Sequence, residues 1–122
     1  MTENTPLSYH NIELSMSHAM SQMEELTKDF AGTADEYGYA ESAFKVAFAK
    51  SRLEARVGGN HEGVKMTADI AEDIATVATE KERMAMEAAK ARNDATRQAL
   101  LSVRSRLEAL RSLMASYRES GN

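Results

Sequence analysis

Six basic residues recur at intervals of seven in the second half of the sequence. They are Arg83, Lys90, Arg97, Arg104, Arg111 and Arg118. Seven residues make almost two turns of an α-helix, so these side chains are predicted to form one slowly drifting column of positive charge. Such a column either binds a polyanion along its length or forms ion pairs with acidic residues of the same molecule.

A second basic cluster lies in the middle of the sequence, where residues 45–56 carry a net charge of +3. Its bases are Lys45, Lys50, Arg52 and Arg56. On a helix, spacings of seven and four place Lys45, Arg52 and Arg56 on one face, with Lys50 to one side. We expect this cluster to bind phosphate groups. The alternative is that its members form ion pairs with acids of the second half, such as Asp69 and Asp73.

The other reactive side chains do not form a catalytic or metal-binding pattern. The sequence has no cysteine, which excludes disulfides, thiolate metal sites and cysteine nucleophiles. His10 and His18 are eight residues apart, whereas chelation from adjacent helical turns needs a spacing of three or four, and His61 stands alone. We therefore predict a protein that is not an enzyme and has no metal, cofactor or small-molecule substrate.

The composition predicts a single all-α domain over residues 1–122. Hydrophobic residues make up 43% of the chain, which contains one proline and no tryptophan, and strong helix formers dominate it. No apolar run reaches the roughly 20 residues that span a membrane, and the start is acidic where a secretory signal would be basic. We expect a cytoplasmic protein that makes no contact with a membrane.

Helix breakers predict two long helical arms. The first arm covers about residues 6–56, the glycine-rich turn covers 57–63, and the second arm covers about 64–118. The arms are expected to pack as a long antiparallel helical hairpin. Gly32, followed by a capping-box pattern, predicts a kink or break in the first arm.

Coiled-coil spacing predicts which residues pack between the arms. In the first arm they are Ile12, Met16, Ala19, Met23, Leu26 and Phe30, then Tyr37, Ala40, Phe44, Ala47 and Ser51. In the second arm they are Ile70, Ile74, Val77, Lys81, Met84, Ala88, Ala91 and Ala95, then, after a phase slip near Ala99, Leu100, Val103, Leu107, Leu110, Met114 and Tyr117.

A separate stripe of alanines runs beside this second-arm seam. Its members are Ala71, Ala75, Ala78, Ala85 and Ala89. The apolar face is therefore wider than one partner helix covers. We expect the alanine stripe to form a subunit interface in a homo-oligomer, the alternative being a broad face covered by the first arm of the same chain.

The second-arm column is expected to meet acids of the first arm. If the chain reverses at about residue 60, each position i lies opposite about 120 − i, which places Arg104 near Glu13. Because Arg104 and Arg111 directly follow seam positions, we predict that both serve packing and the oligomer interface rather than polyanion binding.

Three stretches of the chain resemble the UvsY-type recombination mediators of tailed phages. They are Phe44-Lys-Val-Ala-Phe-Ala-Lys-Ser-Arg-Leu53, the acidic segment Ala68 to Asp73, and Leu101-Ser-Val-Arg-Ser-Arg-Leu-Glu-Ala-Leu-Arg-Ser-Leu113. The resemblance implies a homo-oligomeric, ring-shaped helical protein in the cytoplasm of a bacterial host. Such a protein binds single-stranded DNA, contacts a recombinase and a single-strand-binding protein, and helps the recombinase replace that protein. It also implies that Lys50, Arg52 and Leu53 contact the strand.

Two functions therefore remain open from the sequence. The first is a mediator that binds single-stranded DNA, with Lys45, Lys50, Arg52 and Arg56 as its DNA-binding residues. The second is a structural or adaptor helical oligomer, such as a phage assembly or scaffold protein, that binds no nucleic acid.

Overall fold

The chain forms three α-helices in a computed structural model that describes residues 8–58 and 65–120. Helix α1 is Tyr9–Val57, α2 is Ala68–Ala78 and α3 is Glu80–Glu119, and no strand occurs within these described ranges. Helices α1 and α3 pack together. The prediction of an all-α protein is confirmed. None of the three helices is long and apolar enough to cross a membrane.

Helix α1 runs for 49 residues without interruption, so of the kink or break predicted at Gly32 the break is wrong, and the kink stays a prediction. A glycine inside a helix costs only about 1 kcal/mol relative to alanine, which the good helix formers on both sides offset. The capping box predicted after Gly32 does not form, because α1 continues through Thr33 and no helix begins there. The hydroxyl of Thr33 instead donates a hydrogen bond of 3.0 Å to Oδ1 of Asn93.

The second arm, in contrast, is divided at Thr79, where the sequence predicted one continuous helix. The Thr79 backbone leaves the helical region at φ −111° and ψ 20°. Its hydroxyl donates a 2.7 Å hydrogen bond to the carbonyl of Ala75, and its side chain is buried. A threonine hydroxyl that bonds to the carbonyl four residues earlier often bends a helix slightly. Thr27 makes the same bond inside the uninterrupted α1, so the departure of the Thr79 backbone from helical dihedral angles is what marks the boundary between α2 and α3.

Helix α2 begins a few residues later than the predicted second arm. Thr67 is the N-cap residue, and its hydroxyl accepts a 3.2 Å hydrogen bond from the N–H of Ile70. Of the predicted turn at 57–63, only Val57 and Gly58 lie within the described residues.

The chain divides into two compact units. Unit 1 contains Met1–Ala31 and Asp94–Asn122, and unit 2 contains Gly32–Asn93. The core of unit 1 is formed by Ala19, Val103 and Leu107, against which Met16, Met23, Leu26 and Leu110 pack. These residues follow the spacing predicted for both arms, so the seam prediction is confirmed in this unit.

Within unit 1 the paired segments of α1 and α3 run in opposite directions. The ring of Tyr9 contacts that of Tyr117 with centroids 6.3 Å apart, and Gln22 accepts a hydrogen bond from Arg106. Position i of α1 therefore lies opposite about 127 − i. The predicted register was shifted by one heptad, because sliding two heptad seams by seven residues keeps their apolar stripes in contact.

In unit 2 the buried stripe of the second arm is not the one predicted from hydrophobicity. The buried residues of its described part are small, namely Ala71, Ala75, Thr79 and Ala89. The larger residues of the predicted seam are exposed, including Ile74, Val77 and Met84. The facing stripe of α1 is as predicted, since Tyr37, Ala40, Phe44, Ala47 and Ser51 are half-buried.

Two polar contacts fix the pairing within unit 2. Besides the Thr33–Asn93 hydrogen bond, Nε of Arg92 lies 3.5 Å from a carboxylate oxygen of Glu36. Partner numbers again fall along α3 as they rise along α1, so these segments are also antiparallel.

Candidate nucleic-acid interface

The basic cluster lies on the last turns of α1, in unit 2. Lys45, Arg52 and Arg56 are all exposed, as the sequence predicted from their spacing. Because α1 remains helical to Val57, the three side chains share one face. This face is distinct from the half-buried stripe at Phe44 and Ser51 that packs inside unit 2.

Few ion pairs within the chain involve the bases of this face, so most of the face can bind a ligand. Lys45 is the exception, since its Nζ lies 3.9 Å from the carboxylate of Glu41, one helical turn earlier, with 71% of the lysine side chain exposed. No ion pair joins Arg52 or Arg56 to any residue that the structure describes. The pairs proposed with Asp69 and Asp73 are therefore absent from the described part of the chain.

Arg52 and Arg56 border a shallow groove between α1 and α2. Ala49 and Leu53 complete its α1 wall, and Ala68 and Glu72 form the opposite side. Two guanidinium groups beside exposed apolar surface suit a ligand with both charged and flat apolar parts, such as a phosphodiester strand with its bases. The carboxylate of Glu72 reduces the positive potential on the α2 side only.

Lys50 is exposed but lies away from this basic face. Its spacing of four from Val46 and three from Leu53 places it on a stripe of exposed apolar residues instead. Lys50 therefore lies to one side of the three other bases, as its helical spacing predicted.

Half of the seven-residue column in the second arm forms local ion pairs. Arg83 lies 3.3 Å from Glu87, Arg97 lies 3.7 Å from Asp94 and Arg104 lies 4.0 Å from Glu108. Each of these partners is on α3 itself, not on α1. The expected pairing of Arg104 with Glu13 is therefore wrong. The partner of Arg104 lies on α3 instead of α1, and the observed register does not place Glu13 opposite Arg104.

These local pairs are exposed and weak. Pairs of this kind on a helix surface contribute about 0.3–0.5 kcal/mol each, so they do not prevent a phosphate from competing for the arginine. They do lower the positive potential of the column, because every paired arginine has a carboxylate within 4.0 Å. The basic face of α1 is the stronger candidate for a polyanion site.

The last member of the column, at the C-terminus of α3, behaves differently. Arg118 donates a 3.2 Å hydrogen bond to the hydroxyl of Tyr9 and lies over that ring. This hydrogen bond, together with electrostatic attraction to Tyr9 and Glu13, raises the pKa of Arg118 above its usual value. Arg118 therefore holds the end of α3 to the start of α1.

Arg104 and Arg111, the predicted interface arginines, border a surface groove in unit 1. The groove lies between α1, which contributes Met20, Met23 and Glu24, and α3 around the buried Leu107. Their stems thus flank the core of the unit, as the sequence indicated. Their role in an oligomer interface stays a prediction.

The alanine stripe divides into buried and exposed members. Ala71, Ala75 and Ala89 are buried within unit 2, so they pack inside the chain and the prediction that they contact another subunit is corrected. Their small side chains leave room for the aromatic residues of α1. Ala78 and Ala85 are exposed and remain accessible to a neighbouring molecule.

Two arginines that carry cross-helix contacts were missed from the sequence. Arg92 pairs with Glu36, and Arg106 donates a hydrogen bond to Gln22. Neither belongs to the seven-residue column, and no spacing pattern marks them. Among the residues that the structure describes, no group of three or more histidine or acidic side chains is arranged to hold a metal ion.

Comparison with protein-family models, curated proteins and solved structures finds no match for this chain. The candidate interface is therefore argued from its own geometry and charge.

Proposed function

We propose that this protein is a homo-oligomeric, single-stranded DNA-binding recombination mediator, which helps to load a recombinase onto DNA covered by single-strand-binding protein. In this proposal the two arms form one long antiparallel hairpin, with its turn at residues 57–63. The basic face of α1 then lies beside the turn, at one end of each subunit.

The observation that carries the proposal is the exposed pair Arg52 and Arg56. Both guanidinium groups border an apolar groove and have no ion-pair partner in the described chain. One such face per subunit is a weak site. In an oligomer the faces act together on one strand, and each phosphate they neutralise releases counterions, so binding becomes strong at low salt.

The resemblance to the UvsY-type mediators supports the same face. It assigns strand contacts to Lys50, Arg52 and Leu53, two of which border the groove. It is also the source of the recombinase and the single-strand-binding protein as proposed partners.

A structural or adaptor oligomer is the second candidate function. The net charge of −4 and the exposed apolar side chains of unit 2 favour it, because both suit subunit packing rather than nucleic acid. In this candidate the bases of α1 would serve contacts between subunits.

Fluorescence anisotropy with a labelled single-stranded oligonucleotide tests the proposal. The parent protein should bind tightly at low salt and progressively less as salt rises. Replacing Lys45, Arg52 and Arg56 together by alanine should weaken binding and flatten the slope of log affinity against log salt by about 2, since each lost phosphate contact contributes about 0.7. Circular dichroism should show unchanged helicity.

A matched control removes the same charge elsewhere. Replacing Arg83, Lys90 and Arg97 by alanine also deletes three bases, but from the column whose arginines pair locally, and should change the slope little. If the parent does not bind single strands at low salt, the mediator proposal fails and the structural oligomer is favoured. If only the control weakens binding, the column is the polyanion site and our assignment of the face is wrong.

A further inference from the structure

Several large apolar side chains of unit 2 are exposed, whereas the residues that are fully buried in it are small. All the buried residues of its described part are alanine or threonine, whereas Leu53 is 63% exposed and Val77 is 77% exposed. Burying a large aliphatic side chain contributes about 1.5–3 kcal/mol, so this arrangement leaves much of the available hydrophobic stabilisation unused within one chain. Exposed apolar surface of this extent marks an interaction site.

The exposed residues of α1 form a regular stripe, which we name the α1 outer stripe. Its members are Tyr39, Ala43, Val46, Lys50, Leu53 and Val57. The steps between them are four, three, four, three and four, which is the spacing of a coiled-coil seam. The half-buried stripe of α1 that contains Tyr37, Phe44 and Ser51 is separate from it. Helix α1 therefore has one seam for its own chain and one without a partner in the described structure.

Helices α2 and α3 present a second stripe with the same spacing, which we name the α2–α3 outer stripe. Its members are Ile70, Ile74, Val77, Lys81, Met84 and Ala88. Exposed Ala78 and Ala85 lie beside it and let a helix approach closely. Heptad spacing on both stripes indicates that the surface covering each of them is another helix rather than an irregular partner.

The charges beside the two stripes indicate which helix covers each of them. Lys50 is the one charged member of the α1 outer stripe, whereas residues 69–87 around the α2–α3 outer stripe carry a net charge of −4. Asp73, Glu80 and Glu87 follow one another at intervals of seven along that second stripe. Packing a stripe against its own copy would bring like charges together, whereas packing one stripe on the other brings opposite charges together.

We propose that the α1 outer stripe of one copy of this chain packs on the α2–α3 outer stripe of the next copy. This inference rests on the homo-oligomer in the proposed function and names its interface. Since the two stripes differ, the contact is heterologous. Each copy that is added leaves one stripe uncovered, so further copies can add until a ring closes. Lys50 belongs to this interface, where it meets the acids of the neighbour, while Lys45, Arg52 and Arg56 stay on a separate face for the DNA strand.

Mixing two complementary variants tests the interface by mass. The first variant is Val46→Ser with Leu53→Ser, and the second is Val77→Ser with Met84→Ser. Each should lose the parental mass and sediment near the 13.4 kDa monomer. In an equimolar mixture each variant still has the one intact stripe that the other lacks, so the mixture should give a dimer and nothing larger.

Exposed leucines of unit 1 supply the control. Replacing Leu14 and Leu101 by serine removes similar exposed apolar surface and should leave the parental mass unchanged. Circular dichroism establishes that each variant is helical. A monomeric parent, variants that keep the parental mass, or a mixture that stays monomeric would each overturn the inference. Leu53 belongs to both the groove and the α1 outer stripe, so the DNA titration is made with the parent protein, which keeps both stripes. A parent that forms the oligomer but binds no single strand would defeat only the mediator proposal.

Discussion

The guanidinium group of Arg118 lies 5.9 Å from the centre of the Tyr9 ring and donates a 3.2 Å hydrogen bond to its hydroxyl. Tyr9 also meets the ring of Tyr117. The first helical residue of the described chain is thus held to the last turn of α3 by a cation–π contact, a hydrogen bond and a ring contact.

The first prediction follows from this triple contact. Tyr9→Phe keeps the ring and removes only the hydrogen bond, whereas Tyr9→Ala removes all three interactions. We expect thermal denaturation to show a small decrease in melting temperature for the phenylalanine variant and a larger one for alanine. Equal decreases would mean that the ring contacts contribute nothing.

The core of unit 1 gives the second prediction. Leu107 is 4% exposed and packs with Ala19 and Val103, so Leu107→Ala should lower the free energy of unfolding by about 3 kcal/mol. Leu101 on the same helix is 44% exposed, and Leu101→Ala should cost less than about 1 kcal/mol. Urea denaturation of both variants makes the comparison, and similar losses would contradict the assigned core.

The third prediction concerns the division at Thr79. Thr79→Val keeps the shape of the buried side chain but removes its hydrogen bond to Ala75, so it should destabilise the protein by about 1 kcal/mol. Thr76 makes the same kind of bond, 2.8 Å to Glu72, at an exposed position. Thr76→Val should therefore change the unfolding free energy by less than about 0.5 kcal/mol. A neutral Thr79→Val would show that the hydroxyl does not maintain the division.

The fourth prediction uses the glycines of α1. A Cβ atom at Gly32 or Gly38 would meet nothing within 4 Å. Each change to alanine should therefore raise the unfolding free energy by about 0.5–1 kcal/mol, because alanine is the better helix former. Gly58 is the control, since its Cβ would lie 3.3 Å from the carbonyl oxygen of Glu54 and should bring no gain. A Gly32→Ala variant that is not stabilised would contradict an unstrained helical backbone at this position.

Heptad spacing predicted the helices and the core of unit 1 well, because Leu107 and its partners are both large and periodic. It failed for the second arm of unit 2. Hydrophobicity favours the stripe of Val77 and Met84, but α1 presents Tyr37 and Phe44 on the opposing face. The side chains of two packed helices must together fill the space between them, so bulky residues on one helix require small residues such as alanine on the other. This match of large and small side chains could have been predicted from the sequence only if the register between the two arms had been known.

The register itself could not be derived from the seams. A slip of one heptad preserves every apolar contact type, and the choice is made by contacts such as Gln22 with Arg106, which follow no periodic pattern. The local pairing of the column was readable, since Glu87 and Glu108 each lie four residues after an arginine. The exposure of the basic face at Arg52 followed directly from helical spacing.

The pairing of Tyr9 with Arg118 joins positions 109 residues apart, whereas Thr33 and Asn93 are 60 apart. Closing a longer loop costs more chain entropy, and folding slows as the sequence separation of contacts grows. Unit 2, whose contacts span the shorter loops, is therefore expected to form first and unit 1 to follow. Because both units have repeating seams, the arms can pair one heptad out of register. Such a chain would have to open again before Tyr9 reaches Arg118, which predicts a slow refolding phase. Replacing Gln22 or Arg106 by alanine should lengthen this phase.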